Sequence, residues 1–232
     1  MGAFDKLKAL PNTQKLLLGL GGAGLLFAVL NRKAIVTNVT AAATGVVDTL
    51  LGVKDAAVWA QKLNGVIMKE LPQLSEKART IIIAHAAYES GWGQKAAAAR
   101  GTNNIFNITA GSQWKGPIDV NVNGDLSFGA AECARLGRPM TMQSNGKPAC
   151  KIDQKWRKYA SVNEAIKDYW SFLGEQNGGR YLPARNALVA GDIAMFGQML
   201  FTAGYFTLPP AEYVASMTKV VATAARFLAV VV

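Results

Sequence analysis

The sequence predicts an α+β fold, mainly helical, in which a small β-hairpin lobe interrupts a helical domain and an apolar N-terminal helical segment precedes it. Three observations carry that expectation. Proline-free stretches with apolar residues at helical spacing recur from Ala56 onward. Between Trp114 and Ile152 the pattern changes: IDVNV alternates, and NGD (Asn123–Asp125) and SNGK (Ser144–Lys147) are hairpin-turn signals. Near the start, residues 16–30 read LLLGLGGAGLLFAVL without a charge. A chain of 232 residues is long enough for one sizeable core with an appendage.

The apolar run follows Lys6, Lys8 and Lys15 and meets Arg32 and Lys33. It admits three readings. A secretory signal would have this basic start, but no small-x-small cleavage pattern follows. A spanning helix would need about twenty residues, so this one is short, although basic residues at both ends can snorkel. A core helix would be unusually rich in glycine and leucine. The flanking charges favour an uncleaved, membrane-associated helix. Gly19 and Ala23 supply the four-residue spacing of small residues that lets helices approach in lipid. Residues 34–53, with Thr37, Thr40, Thr44 and Asp48 among apolar residues, read as a second helix at an interface. The membrane contact is therefore expected through residues 16–53. Lys54 and Asp55 mark the boundary between a segment of residues 1–55 and a domain of residues 56–232.

Within that domain, Ala56–Lys69 reads as a first helix, with Val58, Leu63, Val66 and Ile67 on one face. Ser75–Ser90 is the second: helix formers dominate, Ser75 can cap its start, and Gly91 and Gly93 close it. Ile81–Ala87 leaves almost no polar face, so this half should be buried. Gln94–Arg100 is a short helical continuation. After the β lobe, Trp156–Tyr159 is expected to return to helix. Ser161 and Glu164 form a capping box ahead of an amphipathic helix through Leu173. Asn177–Gly179 breaks the chain, Asp192–Ala203 is another helix, and Pro210–Val232 is the last, docked on the domain despite its FLAVVV end.

Glu89 is the residue such a burial pattern makes informative. A carboxyl at the end of an apolar helix is expensive to ionise, and a glutamate that keeps its proton near neutral pH is what a general acid for glycoside cleavage requires. A salt-bridged helix-end glutamate is the competing reading. His85 lies one turn earlier on the same face and could tune the carboxyl, whereas a lone histidine in an apolar helix is more often a packed residue with one satisfied nitrogen.

The residues around Glu89 carry a resemblance. ESGWG, NNIFNI (Asn103–Ile108), WKGP (Trp114–Pro117), WRKYAS (Trp156–Ser161), EAIKDYW (Glu164–Trp170), GGRY (Gly178–Tyr181) and AGYFTLPPAEY (Ala203–Tyr213) occur in order between Trp59 and Val221. Together they resemble the glucosaminidase domain of bacterial and phage peptidoglycan hydrolases, the flagellar rod-cap hydrolase type. The resemblance implies a lysozyme-like helical domain, cleavage of β-1,4 glycan bonds after N-acetylglucosamine, and no cofactor. It implies Glu89 as the acid, Tyr205 as an assisting group, and Asn104, Phe106, Trp92, Trp114 and Tyr181 as residues shaping the substrate site. Asn107 and Thr109 replace the family's glycine and lysine, and Phe206 and Leu208 its alanine and aspartate beside Tyr205. The family's second carboxylate belongs in the β lobe. Counting forward from WKGP reaches Asp125, while counting back from WRKY reaches Met142, and an insertion around the cysteines reconciles the two. Asp125 is thus the first candidate and Glu132 the second, with a plain turn aspartate as the competing reading of Asp125.

Composition limits the partners. The net charge of +10, with only 17% charged residues, favours an anionic surface such as a cell wall or acidic lipid. No basic cluster interleaves with aromatics, which argues against nucleic acid. Absence of CxxC and HExxH patterns, with His85 the only histidine, argues against a zinc site. Cys133 and Cys150 either close a short loop, worth about 3 kcal/mol, or remain thiols. The expected location is the cell envelope or periplasm, or a phage virion. Two other functions compete: a muramidase or lytic transglycosylase, which manages with one glutamate, and a membrane-anchored virion structural or assembly protein with a glycan-binding domain and virion or envelope partners.

Overall fold

The computed structural model describes residues 50, 52–127, 129–142, 148–206 and 208–229, excepting the side chains of residues 123–127 and 132. The expected membrane segment, residues 16–53, lies outside them apart from Leu50, Gly52 and Val53. No helix among the described residues is long and apolar enough to cross a membrane.

Helix α1 (Ala56–Glu70) begins where the charged pair ends, because the Asp55 carboxylate accepts from the Ala57 and Val58 amides. Helix α2 (Glu76–Ser90) is capped by the Ser75 hydroxyl and closed by Gly91 in the left-handed region at φ 55°. Every residue from Ile81 to Ala87 is buried, so α2 is the central helix rather than an amphipathic surface one. A single turn, α3 (Ala96–Ala99), follows it.

The helices after the β lobe wrap α2. Helix α5 (Val162–Gly174) starts with the expected capping arrangement: the Ser161 hydroxyl accepts from the Glu164 amide, and the Glu164 carboxylate accepts from the Ala160 amide. A 3₁₀ turn (Gln176–Gly179) leads to α6 (Leu182–Ala190), α7 (Ile193–Thr202) and α8 (Pro210–Ala229). Helices α1, α6 and α8 pack directly on α2, and α7 packs on α6 and α8. The end of α8 is docked as expected: the Phe227 ring meets Trp92, and its carbonyl accepts from Gln61. Helix α6 was not anticipated, although Pro183 in its first turn is a helix-start signal.

The β lobe is an antiparallel sheet of three strands, β1 (Ile118–Ser127), β2 (Thr141–Met142) and β3 (Pro148–Arg157), in the order β1-β3-β2. Two expectations fail here. NGD is no hairpin turn but lies within β1. Asn121 pairs with Gln154 and Asp125 with Ile152, so residues 122–124 stand opposite Asp153 alone. The ten-residue β3 supplies a ladder on both sides of NGD, and the surplus becomes a bulge instead of a turn. Trp156 and Arg157 are strand rather than helix, paired with Asp119 and Ile118. The Arg157 amide also donates to the Ile108 carbonyl, so strand pairing overrides local helix preference until Ser161. SNGK lies outside the described residues; the strands flanking it pair antiparallel. The short α4 (Ala130–Arg135) is fastened to β3 by a disulfide between Cys133 and Cys150.

Candidate active site

Glu89 occupies the last turn of α2, its side chain 17% exposed. The loop after α3 holds it from below. Asn107 takes φ 51°, a conformation glycine adopts freely and asparagine tolerates. Its amide donates to the Glu89 carbonyl, and its oxygen accepts from the Ala97 amide. Asn107 thus makes a left-handed turn and adds a side-chain clasp to it.

Asn104 is wholly buried and fully engaged. Its amide donates to the Ile108 and Arg157 carbonyls, each at 2.9 Å, and its oxygen accepts from the Ile108 amide. It ties the loop to β3. Phe106 is equally buried, its ring stacked on Tyr169 at 3.7 Å, so only its backbone can face a ligand. That backbone is held in turn: the Tyr205 hydroxyl donates to the Phe106 carbonyl at 2.6 Å.

Aromatic rings continue outward from Tyr205. Tyr181 meets it edge-on at 6.0 Å and stacks on Phe172 at 4.6 Å. The Arg157 guanidinium lies over Phe172 and over Trp114. Arg157 also binds Asp168 and Gln176, and Tyr159 donates to the same Asp168. This network walls a cavity of about 570 Å³ lined by Gln113, Trp114, Arg157 and Gln176–Gly178. Trp114 is fixed by donating to the Pro117 carbonyl. Trp92 stands apart from this row: its ring packs on Trp59 and Phe227.

The electrostatics centre on Glu89. Among the described residues its only ion-pairing contact is His85, whose Nε2 lies 3.5 Å from Oε1. Tyr169, Tyr205 and Tyr213 are all pushed well above the ordinary tyrosine range, first by burial and then by the negative charge of Glu89. Tyr213, on α8, is buried, and its hydroxyl has no partner among the described residues. Sequence reasoning missed Tyr213, Tyr169 and the Asp168 network. Tyr169 and Asp168 fall in the helix read as core packing, and Tyr213 in a block read only for its order.

The second carboxylate is less defined. Asp125 lies in β1 opposite Ile152 and Glu132 in α4; both side chains are outside the described atoms. Of the lobe's other carboxylates, Asp119 pairs with Arg100 at 2.6 Å and Asp153 with Arg138 at 3.4 Å. Among the described residues no group of three or more His, Cys, Asp or Glu side chains is arranged to hold a metal. The arrangement offers proton transfer at Glu89 beside polar aromatic walls.

Comparison with known proteins decides the family. The glucosaminidase model, described as mannosyl-glycoprotein endo-beta-N-acetylglucosaminidase, matches residues 67–226. The chain belongs to the glucosaminidase family. Its relatives include peptidoglycan hydrolase FlgJ of Escherichia coli strain K12, 30% identical over 61% of this chain, and that of Vibrio cholerae, 34% identical over 56%. The chain spans under two fifths of the length of these relatives, 38% and 33%. Among solved structures, the truncated glycoside hydrolase domain of Salmonella typhimurium FlgJ is 26% identical with a TM-score of 0.49, covering 74% of this chain and 99% of that one. N-acetylmuramoyl-L-alanine amidase from Staphylococcus aureus is 18% identical with a TM-score of 0.51, covering 75% of this chain and 43% of that one, a likeness of fold alone. The matched residues include the whole of the Glu89 helix, the β lobe and most of the tyrosine-bearing helices.

Proposed function

We propose that this glucosaminidase-family chain is an endo-acting β-N-acetylglucosaminidase that hydrolyses peptidoglycan glycan strands on a lysozyme-like fold. One observation carries the reading: the family's glutamate stands at the mouth of the core, with no lysine or arginine paired to it among the described residues, surrounded by tyrosines whose hydroxyls stay protonated.

Glu89 donates its proton to the glycosidic oxygen as the bond from C1 to that oxygen breaks, and positive charge develops on C1 and the ring oxygen. Water then adds at C1, giving a reducing N-acetylglucosamine end. Asp125 is the proposed acceptor of the water proton, with Glu132 as the next candidate. Tyr205 holds the Phe106 carbonyl and presents its ring to the sugar. Tyr181 and Trp114 extend the aromatic wall along the strand, Asn104 and Phe106 fix the floor from beneath, and Trp92 steadies the end of α2. The reading places the protein in the cell envelope, with residues 16–53 as a membrane contact.

Digestion of purified peptidoglycan by the wild type and by Glu89→Gln, followed by borohydride reduction and mass spectrometry, tests this. Reduced N-acetylglucosamine ends made only by the wild type are expected. Anhydro-muramyl ends would instead establish a lytic transglycosylase, and absence of cleavage by the full chain would leave a glycan-binding protein. Flotation with anionic vesicles, comparing the full chain with one lacking residues 1–55, checks the membrane contact.

A further inference from the structure

His85 has no exposed surface, yet it carries two ring nitrogens that must each find a partner or stay unsatisfied. Four aromatic rings enclose it, those of Phe106, Tyr169, Phe196 and Tyr205, with centroids 5.2 to 6.0 Å away. Among the described residues, two polar groups reach it. The Tyr169 hydroxyl lies 2.9 Å from Nδ1, and Glu89 Oε1 lies 3.5 Å from Nε2. Among the described residues, Nε2 has no hydrogen-bond partner at its present distance. An imidazole placed only to fill an aromatic cage would not need this alignment.

The neutral ring has one donor and one acceptor, so the two neighbours fix which is which. If Nδ1 carried the proton, the Tyr169 proton would have no acceptor among the described residues, and Nε2 would draw on the carboxyl proton that Glu89 is to give up. If Tyr169 donates to Nδ1, the ring proton falls on Nε2, 3.5 Å from Glu89 Oε1. Tyr169 itself is fixed by its ring stack on Phe106 at 3.7 Å with planes 5° apart. Catalytic contacts are commonly long without substrate and tighten when the substrate is bound.

We propose that His85 is a positioning residue for Glu89: its Nε2–H holds Oε1, in a tautomer set by Tyr169, so that the transferable proton sits on the other carboxyl oxygen and faces the glycan. The inference rests on the reading of Glu89 as the general acid. Oε1 accepts from His85 whether or not Glu89 is protonated, so the carboxyl keeps one orientation through the cycle. The glycosidic oxygen then meets Oε2–H without a search over side-chain rotamers.

The test measures kcat and KM on purified glycan strands, with melting temperature, for His85→Leu, His85→Gln, Tyr169→Phe and Glu89→Gln. His85→Leu is expected to lower kcat about 10- to 100-fold with KM within about twofold, the signature of lost orientation rather than lost binding. His85→Gln, which restores an N–H donor of similar reach, should recover to within about fivefold of wild type, and Tyr169→Phe should fall about three- to tenfold. A purely packing role would depress the melting temperature and leave kcat of the folded fraction unchanged. The proposal is overturned if His85→Leu and Tyr169→Phe both keep kcat within about twofold of wild type, or if His85→Gln falls as far as His85→Leu. Should His85→Leu not fold, Tyr169→Phe decides, since it removes one oxygen and keeps the stack. Full activity in Glu89→Gln would overturn the acid assignment instead, which separates the two failures.

Discussion

The helical body and the β lobe hold their side chains still by different means. In the body, Glu89 is fixed through its helix, which Ser75 caps, Gly91 closes and Asn107 clasps at the Glu89 carbonyl, inside a core of buried apolar residues. The lobe has almost no core. Ile118, Val120 and Val122 of β1 are 44 to 66% exposed, and among the described residues β3 buries only Ala149, Cys150 and Arg157. A covalent bond and ion pairs replace the missing hydrophobic burial. A group on the body is thus held by many weak, cooperative contacts, and a group on the lobe by a few discrete ones, each of which can be removed alone.

The largest expected effect separates the chemical contributions of the two regions. Glu89→Gln should lower kcat about 10²- to 10⁴-fold at unchanged KM, the range for loss of a positioned acid. Asp125→Asn should lower it less, about 10- to 100-fold, since water retains some nucleophilicity without a base. Single-turnover digestion of glycan strands measures both. If Asp125→Asn is silent and Glu132→Gln is not, the lobe's carboxylate comes from α4 instead of β1. If both are silent, the body performs the chemistry alone.

Reducing the disulfide tests how the lobe is held. Closing a loop of this length contributes about 3 kcal/mol, and Cys133 and Cys150 are both buried, so dithiothreitol in mild urea is needed. Hydrogen exchange should then accelerate across β1, β3 and α4 while the amides of α2 stay protected. Equal acceleration in both regions would mean that they unfold as one unit.

A smaller effect, confined to the helical side, comes from alkaline pH. All six tyrosines titrate above the ordinary value of 10.0, and for Tyr159, Tyr169 and Tyr213, which are at most 4% exposed, burial is the first cause. A raised folded pKa means that the unfolded chain releases these protons first. The stability they carry is complete below about pH 10 and is lost as pH rises beyond it, by up to about 1.4 kcal/mol per pH unit for each buried group. Melting temperatures from pH 8 to 11 should fall above pH 10, and tyrosinate absorbance from Tyr159, Tyr169 and Tyr213 should appear only with unfolding. Titration of more than the other three tyrosines, Tyr88, Tyr181 and Tyr205, in the folded protein would contradict the burial.

The same division decides what the sequence could show. Helix α2 and both its caps were legible because the signals there are local: an apolar stretch from Ile81 to Ala87 broken only by His85, a serine before and glycines after. The lobe was misread because its structure is set by pairing between distant segments. NGD is a turn in isolation and a bulge once β3 lies beside it, and Trp156–Arg157 are held extended by Asp119, Ile118 and Ile108. The link from Tyr169 through His85 to Glu89 spans a separation of 84 residues at its first step, which no local pattern encodes.

Asn107 offers the finest test of how the body holds Glu89, because its two roles oppose each other on substitution. Asn107→Gly relieves the left-handed backbone at φ 51° but loses both side-chain hydrogen bonds, to the Glu89 carbonyl and from the Ala97 amide. Each such bond is worth about 1 kcal/mol net. Relief of the left-handed backbone, about 1 to 2 kcal/mol, offsets part of that and outweighs the added unfolded-state freedom of glycine, which works the other way, leaving a loss of about 1 kcal/mol. Asn107→Ala loses the same bonds and keeps the strain, so its loss should be about twice as large. Urea denaturation separates the two. If the clasp also orients Glu89, both variants should share a modest drop in kcat, about two- to fivefold, despite their unequal stabilities. Activity that instead tracks stability, with Asn107→Gly near wild type and Asn107→Ala impaired, would assign Asn107 to the turn alone and leave the orientation of Glu89 to its own helix.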